Sequence, residues 1–349
     1  VPDLAFFVGK GGVGKTTVSA AYAVRCADQN PAKRVLLVST DPAHSLADIL
    51  ETRLGDAPRK IKLPGRRRLE AWQVDAESLF RDFLDQYKEN ILEIIDSSTM
   101  FSRDDIEPLL ETTLPGMAEV SALLAVREAL LSGSYDSIVV DTAPFGHTLR
   151  LFELPEHFLR FVNFLELAAG RDRILAEHFG GQKRPLGEEF IGEWRGMVKG
   201  VQEAFTSQAE VFLVTTAEKF ALQESFRCAA ILEALSPPVM ITSVVLNRAT
   251  RVAKGCRVCR DRFKATRAAG NLLRQRFPGR ELHVGEDSGA PILGATNLAI
   301  FAGHLFAGGP LKLQIPTPKK EPVKLKRTRW PVLDTQLSLV LGKGGVGKT

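Results

Sequence analysis

Gly9-Lys10-Gly11-Gly12-Val13-Gly14-Lys15-Thr16 has the spacing G-x-x-x-x-G-K-T, the pattern of a backbone loop that wraps phosphate. Glycine suits such a loop because successive N–H groups must turn inward, where a Cβ would obstruct either the chain or the ligand. In this pattern Lys15 reaches the β- and γ-phosphates and the Thr16 hydroxyl meets Mg²⁺. Gly11, Gly12, Val13, Gly14 and Thr17 complete the expected nucleotide-binding set. Two carboxylates stand at the ends of apolar runs: Asp41 after Arg34–Thr40, opening Asp41-Pro42-Ala43-His44-Ser45, and Asp141 after Ser137–Val140. Asp141 is placed to hold Mg²⁺ and Asp41 to orient or deprotonate an attacking water. An isolated Asp at a strand end is more often a simple cap. Company with a phosphate loop is what turns the reading toward chemistry.

The elements that must position these groups can be read around them. Leu4–Val8 reads as a buried strand and Thr17–Ala27 as a helix, so the loop presents a helix N-terminus to an anion. Arg34–Thr40, Ser137–Val140 and Ile241–Leu246 read as further strands, and Phe220–Leu235 as a helix. Apolar strands alternating with helices predict an α/β fold, a doubly wound, mainly parallel sheet of the P-loop NTPase type with helices on both faces. Ligands of such sheets sit at the carboxyl ends of the strands, where Asp41 and Asp141 would share a crevice with the loop.

The chain of 349 residues is 44% hydrophobic and 25% charged, which excludes a disordered, collagenous or low-complexity protein. No apolar run approaches the ~18 residues of a membrane span, and four cysteines are too few for a disulfide framework. A reducing, cytoplasmic setting is therefore expected. The formal charge is +5, but Pro310–Trp330 alone carries +6 and the remainder −1. The excess is thus a local, Pro-rich stretch that reads as a linker, and no nucleic-acid partner is expected. The octapeptide at Gly9 recurs unchanged as Gly342-Lys343-Gly344-Gly345-Val346-Gly347-Lys348-Thr349. The expectation is an ATPase domain over 1–309, a basic linker over 310–332 and, over 333–349, the opening strand and loop of a second repeat.

Cys256-Arg257-Val258-Cys259 places two thiols on one turn, half of a tetrahedral Zn²⁺ site whose other half would come from a second copy. A redox-sensing pair and an Fe–S cluster remain alternatives, with Lys254, Arg257, Arg260 and Arg262 expected to depress the thiol pKa values. Cys26 and Cys228 read as small core residues, and His157, His178, His283 and His304 as surface or helix-end residues. Phe80, Phe83, Leu84, Tyr87, Ile91, Ile94 and Ile95, with the apolar series from Phe158 to Leu167, have helical spacing. They suit a client groove and equally suit amphipathic helices covering a sheet.

Lys10-Gly11-Gly12-Val13-Gly14-Lys15-Thr16-Thr17, with its additional lysine, resembles the deviant phosphate loop of dimeric P-loop ATPases. Asp41-Pro42-Ala43-His44-Ser45 and Asp141-Thr142-Ala143-Pro144-Phe145-Gly146-His147-Thr148 resemble the two switch segments of the ArsA family. That family includes arsenite-pump ATPases and the ATPase that targets tail-anchored membrane proteins. The resemblance implies an ATP-hydrolysing, Mg²⁺-dependent dimeric or tandem switch. Lys10 would act across the dimer on the opposite nucleotide, Asp41 would activate water, and Asn247 would read the adenine. Pro42, His44, Pro144, Gly146, His147 and Thr148 would move with nucleotide state. The implied partners are a second copy or half, and either a hydrophobic membrane-protein client or a membrane pump subunit. The targeting branch is preferred because its members carry a similar Cys pair, implying zinc. The isolated cysteines of arsenite-pump members have no counterpart at 107–115 or 163–181 here. His283-Val284-Gly285-Glu286-Asp287 departs from the Pro-containing segment usual in the family, which weakens base selectivity through that loop. An Fe–S scaffold or carrier ATPase is the alternative function.

Overall fold

The computed structural model describes residues 3–41, 45–55, 57–63, 65, 67–75, 125–142, 209–251 and 256–314, with scattered residues over 78–92 and 192–203. Among these, eight strands form one sheet: β1 (Asp3–Val8), β2 (Arg34–Ser39), β3 (Arg59–Lys60), β4 (Arg68–Gln73), β5 (Ser137–Asp141), β6 (Ala209–Thr215), β7 (Ser243–Ala249) and β8 (Glu281–Glu286). Their order is β3-β4-β2-β5-β1-β6-β7-β8, parallel throughout except for the short β3 against β4. The helices that accompany them include α1 (Lys15–Gln29), α2 (Ser45–Leu50), α3 (Lys219–Ala234), α4 (Arg257–Arg276) and α5 (Gly294–Ala307).

β1 lies between β5 and β6, and the chain passes from it to β2 on one side, while β6, β7 and β8 build the other. The sheet therefore reverses its winding beside β1, the point where an open α/β sheet leaves a crevice at its carboxyl edge. Leu4 to Val8 are all buried, as a strand covered on both faces requires. Ala5 and Phe7 point into the core shared with Val18, Ala21 and Val24 of α1 and Leu298, Phe301 and Leu305 of α5. Leu4, Phe6 and Val8 alternate to the opposite face.

Phe7 and Phe212 stack at 4.7 Å, and Tyr22 and Phe306 close over them. His283 packs on the same cluster, 5.0 Å from Phe306 between ring centroids, and burial pushes its imidazole pKa down. It is a core residue, not the surface residue its sequence context suggests. His304 is buried at the end of α5, where Nε2 accepts from the Glu286 N–H and Nδ1 lies 2.8 Å from the Gly309 carbonyl oxygen. The chain remains docked past Gly309: Leu311 packs on the core and the Gln314 N–H donates to Asn297 Oδ1 at 2.8 Å. The remaining linker and the second loop lie outside the described residues, as do all the residues named for the client groove.

Candidate nucleotide site

The phosphate loop follows β1 as expected, and its shape is carried by three glycines with positive φ: Gly9 (148°), Gly12 (83°) and Gly14 (91°). At Gly9 a Cβ would collide with the Val214 carbonyl, and at Gly14 with the Asn247 side chain. Gly14 in the left-handed region is also the residue that opens α1, where no side chain caps the first turn and no acidic residue stands within it. The orphan N–H groups of α1 are thus left for an anion.

Lys15 is buried, and among the described residues its Nζ hydrogen-bonds to the Lys10 carbonyl at 3.4 Å alone. Burial lowers its pKa, while the charges of Asp141 and Asp41 oppose that shift. The Thr16 hydroxyl lies 3.1 Å from Ser45 Oγ at the start of α2. Asp141 ends β5, is fully buried, and accepts from Ser39 Oγ at 3.2 Å through Oδ2. Its Oδ1 has no hydrogen-bond partner among the described residues. Burial pushes the carboxyl up to about 6, against the pull of Lys15 and of hydrogen bonds from Thr16 and Ser39. A buried carboxylate with an unpartnered oxygen beside a threonine hydroxyl is the donor set a divalent cation satisfies. The residues present fit Mg²⁺.

Asp41 follows β2, close enough for its charge to be felt by both Lys15 and Asp141. The expected convergence of Lys15, Thr16, Asp41 and Asp141 at the carboxyl edge is therefore observed. Thr142 is fully buried and donates to the Phe7 carbonyl at 2.8 Å, tying the second segment to β1. Pro42, His44, Pro144, Gly146, His147 and Thr148 lie outside the described residues.

Two side chains stand differently from their expected surroundings. Lys10 Nζ sits 4.3 Å above the ring of Phe220, a 58% exposed residue in the first turn of α3, in cation–π contact. Asn247 lies within β7 and not beyond its end, because the strand continues through an irregular register to Ala249. Its Nδ2 donates to the Val13 carbonyl at 2.9 Å, so in this structure the amide braces the phosphate loop. Sequence reasoning also passed over Ser39, Gln73 and Thr216, buried polar residues at the carboxyl ends of β2, β4 and β6. A polar residue in phase with a strand's buried apolar row is the signal that could have found them.

The Cys pair opens α4. Cys256 is its N-cap, and its sulfur accepts from the Cys259 N–H at 3.4 Å. The Cys256 thiol pKa is lowered, chiefly by hydrogen bonds from Cys259 and only lastly by Arg262, whereas that of Cys259 is raised by the Cys256 sulfur. The expectation that surrounding cations depress the thiols holds in part: Arg262 pulls both down, but as the smallest contribution at each, and the net shift is downward for Cys256 alone. Lys254 lies outside the described residues. Cys228 is buried and Cys26 packs against the core. Among the described residues no group of three or more His, Cys, Asp or Glu could hold a metal ion. No described helix is long and apolar enough to cross a membrane.

Residues 3–305 match the family model described as anion-transporting ATPase, ArsA_ATPase. The chain is similar to an ATPase GET3 of Debaryomyces hansenii, with 30% identity over 86% of this chain and 89% of the relative. It is 28% identical, with the same coverage of both chains, to an ATPase GET3 of Scheffersomyces stipitis and to one of Candida tropicalis. A phosphate loop at the winding reversal of a parallel sheet, with two carboxylates beside it and a family match across nearly the whole described domain, leads to one conclusion: the chain belongs to the ArsA family of ATPases.

Proposed function

We propose that this chain is the ATP-hydrolysing switch of a two-site assembly, in which nucleotide closes two loops against each other and hydrolysis reopens them. The observation that carries the reading is the convergence of Lys15, Thr16, Asp141 and Asp41 on one crevice beside an uncapped helix start. Lys15 and the N–H groups of α1 hold the phosphates, and Thr16 and Asp141 hold Mg²⁺. When bound, Mg²⁺ neutralises charge developing on the phosphoryl oxygens. Asp41 orients the attacking water and takes its proton. Lys10 leaves Phe220 on closure and stabilises transition-state charge at the opposite nucleotide. The second copy or repeat supplies the facing loop and the other half of a shared Zn²⁺ site at Cys256 and Cys259. The lowered Cys256 thiol pKa suits that ligand role.

The switch governs capture and release of a hydrophobic membrane-protein segment, the reading favoured by similarity to the GET3 ATPases and by the Cys pair. The description of the family as anion-transporting favours a second reading, in which the switch energises an anion pump. The test is ATP-dependent retention of a peptide bearing one transmembrane helix, alongside turnover with and without trivalent arsenite. Retention that ATP hydrolysis reverses, with arsenite-insensitive turnover, supports the targeting reading. Arsenite activation without retention supports the pump. Iron and sulfide bound to the anaerobically purified protein would support the Fe–S carrier instead, a reading the match to ArsA ATPases does not favour.

A further inference from the structure

Gln73 is the last residue of β4 and continues its inward row after Leu69 and Ala71, with a side chain 6% exposed. A buried amide in a row of apolar side chains is destabilising unless it is hydrogen-bonded. Its Nε2 donates to the Asp41 main-chain carbonyl at 2.8 Å. In the parallel register Gln73 stands opposite Ser39, and Ser39 stands opposite Asp141. Ser39 Oγ donates to Asp141 Oδ2 at 3.2 Å and accepts the Asp41 N–H at 3.3 Å. The polar groups on both sides of the Asp41 Cα are therefore held by side chains from two neighbouring strands. One of those side chains also grips Asp141.

We infer that Gln73 is a positioning residue for hydrolysis, fixing the backbone of Asp41 so that its carboxylate faces the water site. The inference rests on the reading of Asp41 as the water-activating group. Holding the N–H and the C=O of one residue restricts both of its backbone dihedrals, and with them the direction of Cβ. A reacting group displaced by about 1 Å can lose on the order of 100-fold in rate, so an anchor on β4, with β2 and β5 between it and the strand of the phosphate loop, acts on turnover and not on nucleotide affinity. Gln73 touches neither nucleotide nor water in this scheme; it acts through Asp41.

The test is single-turnover ATP hydrolysis and nucleotide binding by the full chain carrying Gln73→Leu, Asp41→Asn or both. Gln73→Met serves as a second variant that keeps the length of the side chain without its donor. The expected result is a loss of about tenfold or more in hydrolysis rate for Gln73→Leu, with ATP affinity changed less than about threefold. In the Asp41→Asn background Gln73→Leu should cause no further loss, because its effect passes through the missing carboxylate. Full-rate hydrolysis by Gln73→Leu and Gln73→Met, or losses that multiply in the double variant, overturns the inference while Asp41 keeps its role. Full-rate hydrolysis by Asp41→Asn alone overturns the reading of Asp41, and the inference with it.

Discussion

Gly14 carries three constraints at once: a φ of 91°, the opening of α1, and contact with the Asn247 amide that braces Val13. An alanine there must adopt a left-handed conformation costing roughly 1–2 kcal/mol and push Asn247 away from the loop. Gly14→Ala should weaken ATP binding by at least about tenfold and lower the thermal midpoint, measured by titration calorimetry and by thermal melting. Binding equal to that of the parent chain would separate the loop's shape from its function. Lys15 shows the same economy at its other end. Its ammonium is buried, and among the described residues its one hydrogen bond is a weak one, to the Lys10 carbonyl; phosphate oxygens would supply further acceptors.

At the scale of elements, β2 and β5 are joined at their amino ends as well as at the site. Arg34 meets Asp136 through paired guanidinium–carboxylate hydrogen bonds, and the Arg34 N–H also donates to Asp136 Oδ2 at 2.8 Å. These bonds hold the Asp136 carboxyl down at about 2. Because that lies below the ordinary carboxylate value, the pair's contribution is fully present above about pH 4. It is lost as pH falls toward 2. Asp136→Asn should therefore lower the urea midpoint at pH 7, with the gap to the parent chain closing between about pH 4 and 2. A gap independent of pH would contradict the assignment. Both side chains are partly open to solvent, so added salt should narrow the difference at neutral pH.

What was legible in the sequence follows from how local its causes are. The phosphate loop, β1 and α1 are contiguous, and their glycines and apolar run declare them. Asp141 is readable because it ends an apolar run in a chain that also carries a phosphate loop, the combination that lifts it above a simple strand-end cap. Gln73 was not, because its partner Asp41 is 32 residues away and reaches it only through the pairing of β2 with β4. The contact of Lys10 with Phe220 likewise depends on β6 returning beside β1. Asn247 stands within β7, past the Ile241–Leu246 run that the sequence marks as the strand, because β7 runs on through an irregular register with Arg248 at a φ of 54°. His283 was misjudged because its aromatic neighbours come from β6 and α5.

The whole molecule is proposed to work as two facing sites. Lys10→Ala should lose most hydrolysis and also lose ATP-dependent association or closure, read by turnover together with small-angle scattering. Retained closure with lost hydrolysis would confine Lys10 to chemistry. Replacing Cys256 and Cys259 by serine should remove bound zinc and weaken association, checked by elemental analysis and sedimentation. Stoichiometric zinc in that variant would assign the metal to other ligands. The decisive measurement is the ATP affinity and turnover of Asp41→Asn, made on one preparation. If Asp41 activates the water, affinity stays within about threefold of the parent chain and turnover falls by at least about 100-fold, the scale of general-base catalysis. Turnover close to that of the parent chain, with ATP still bound, would contradict that role.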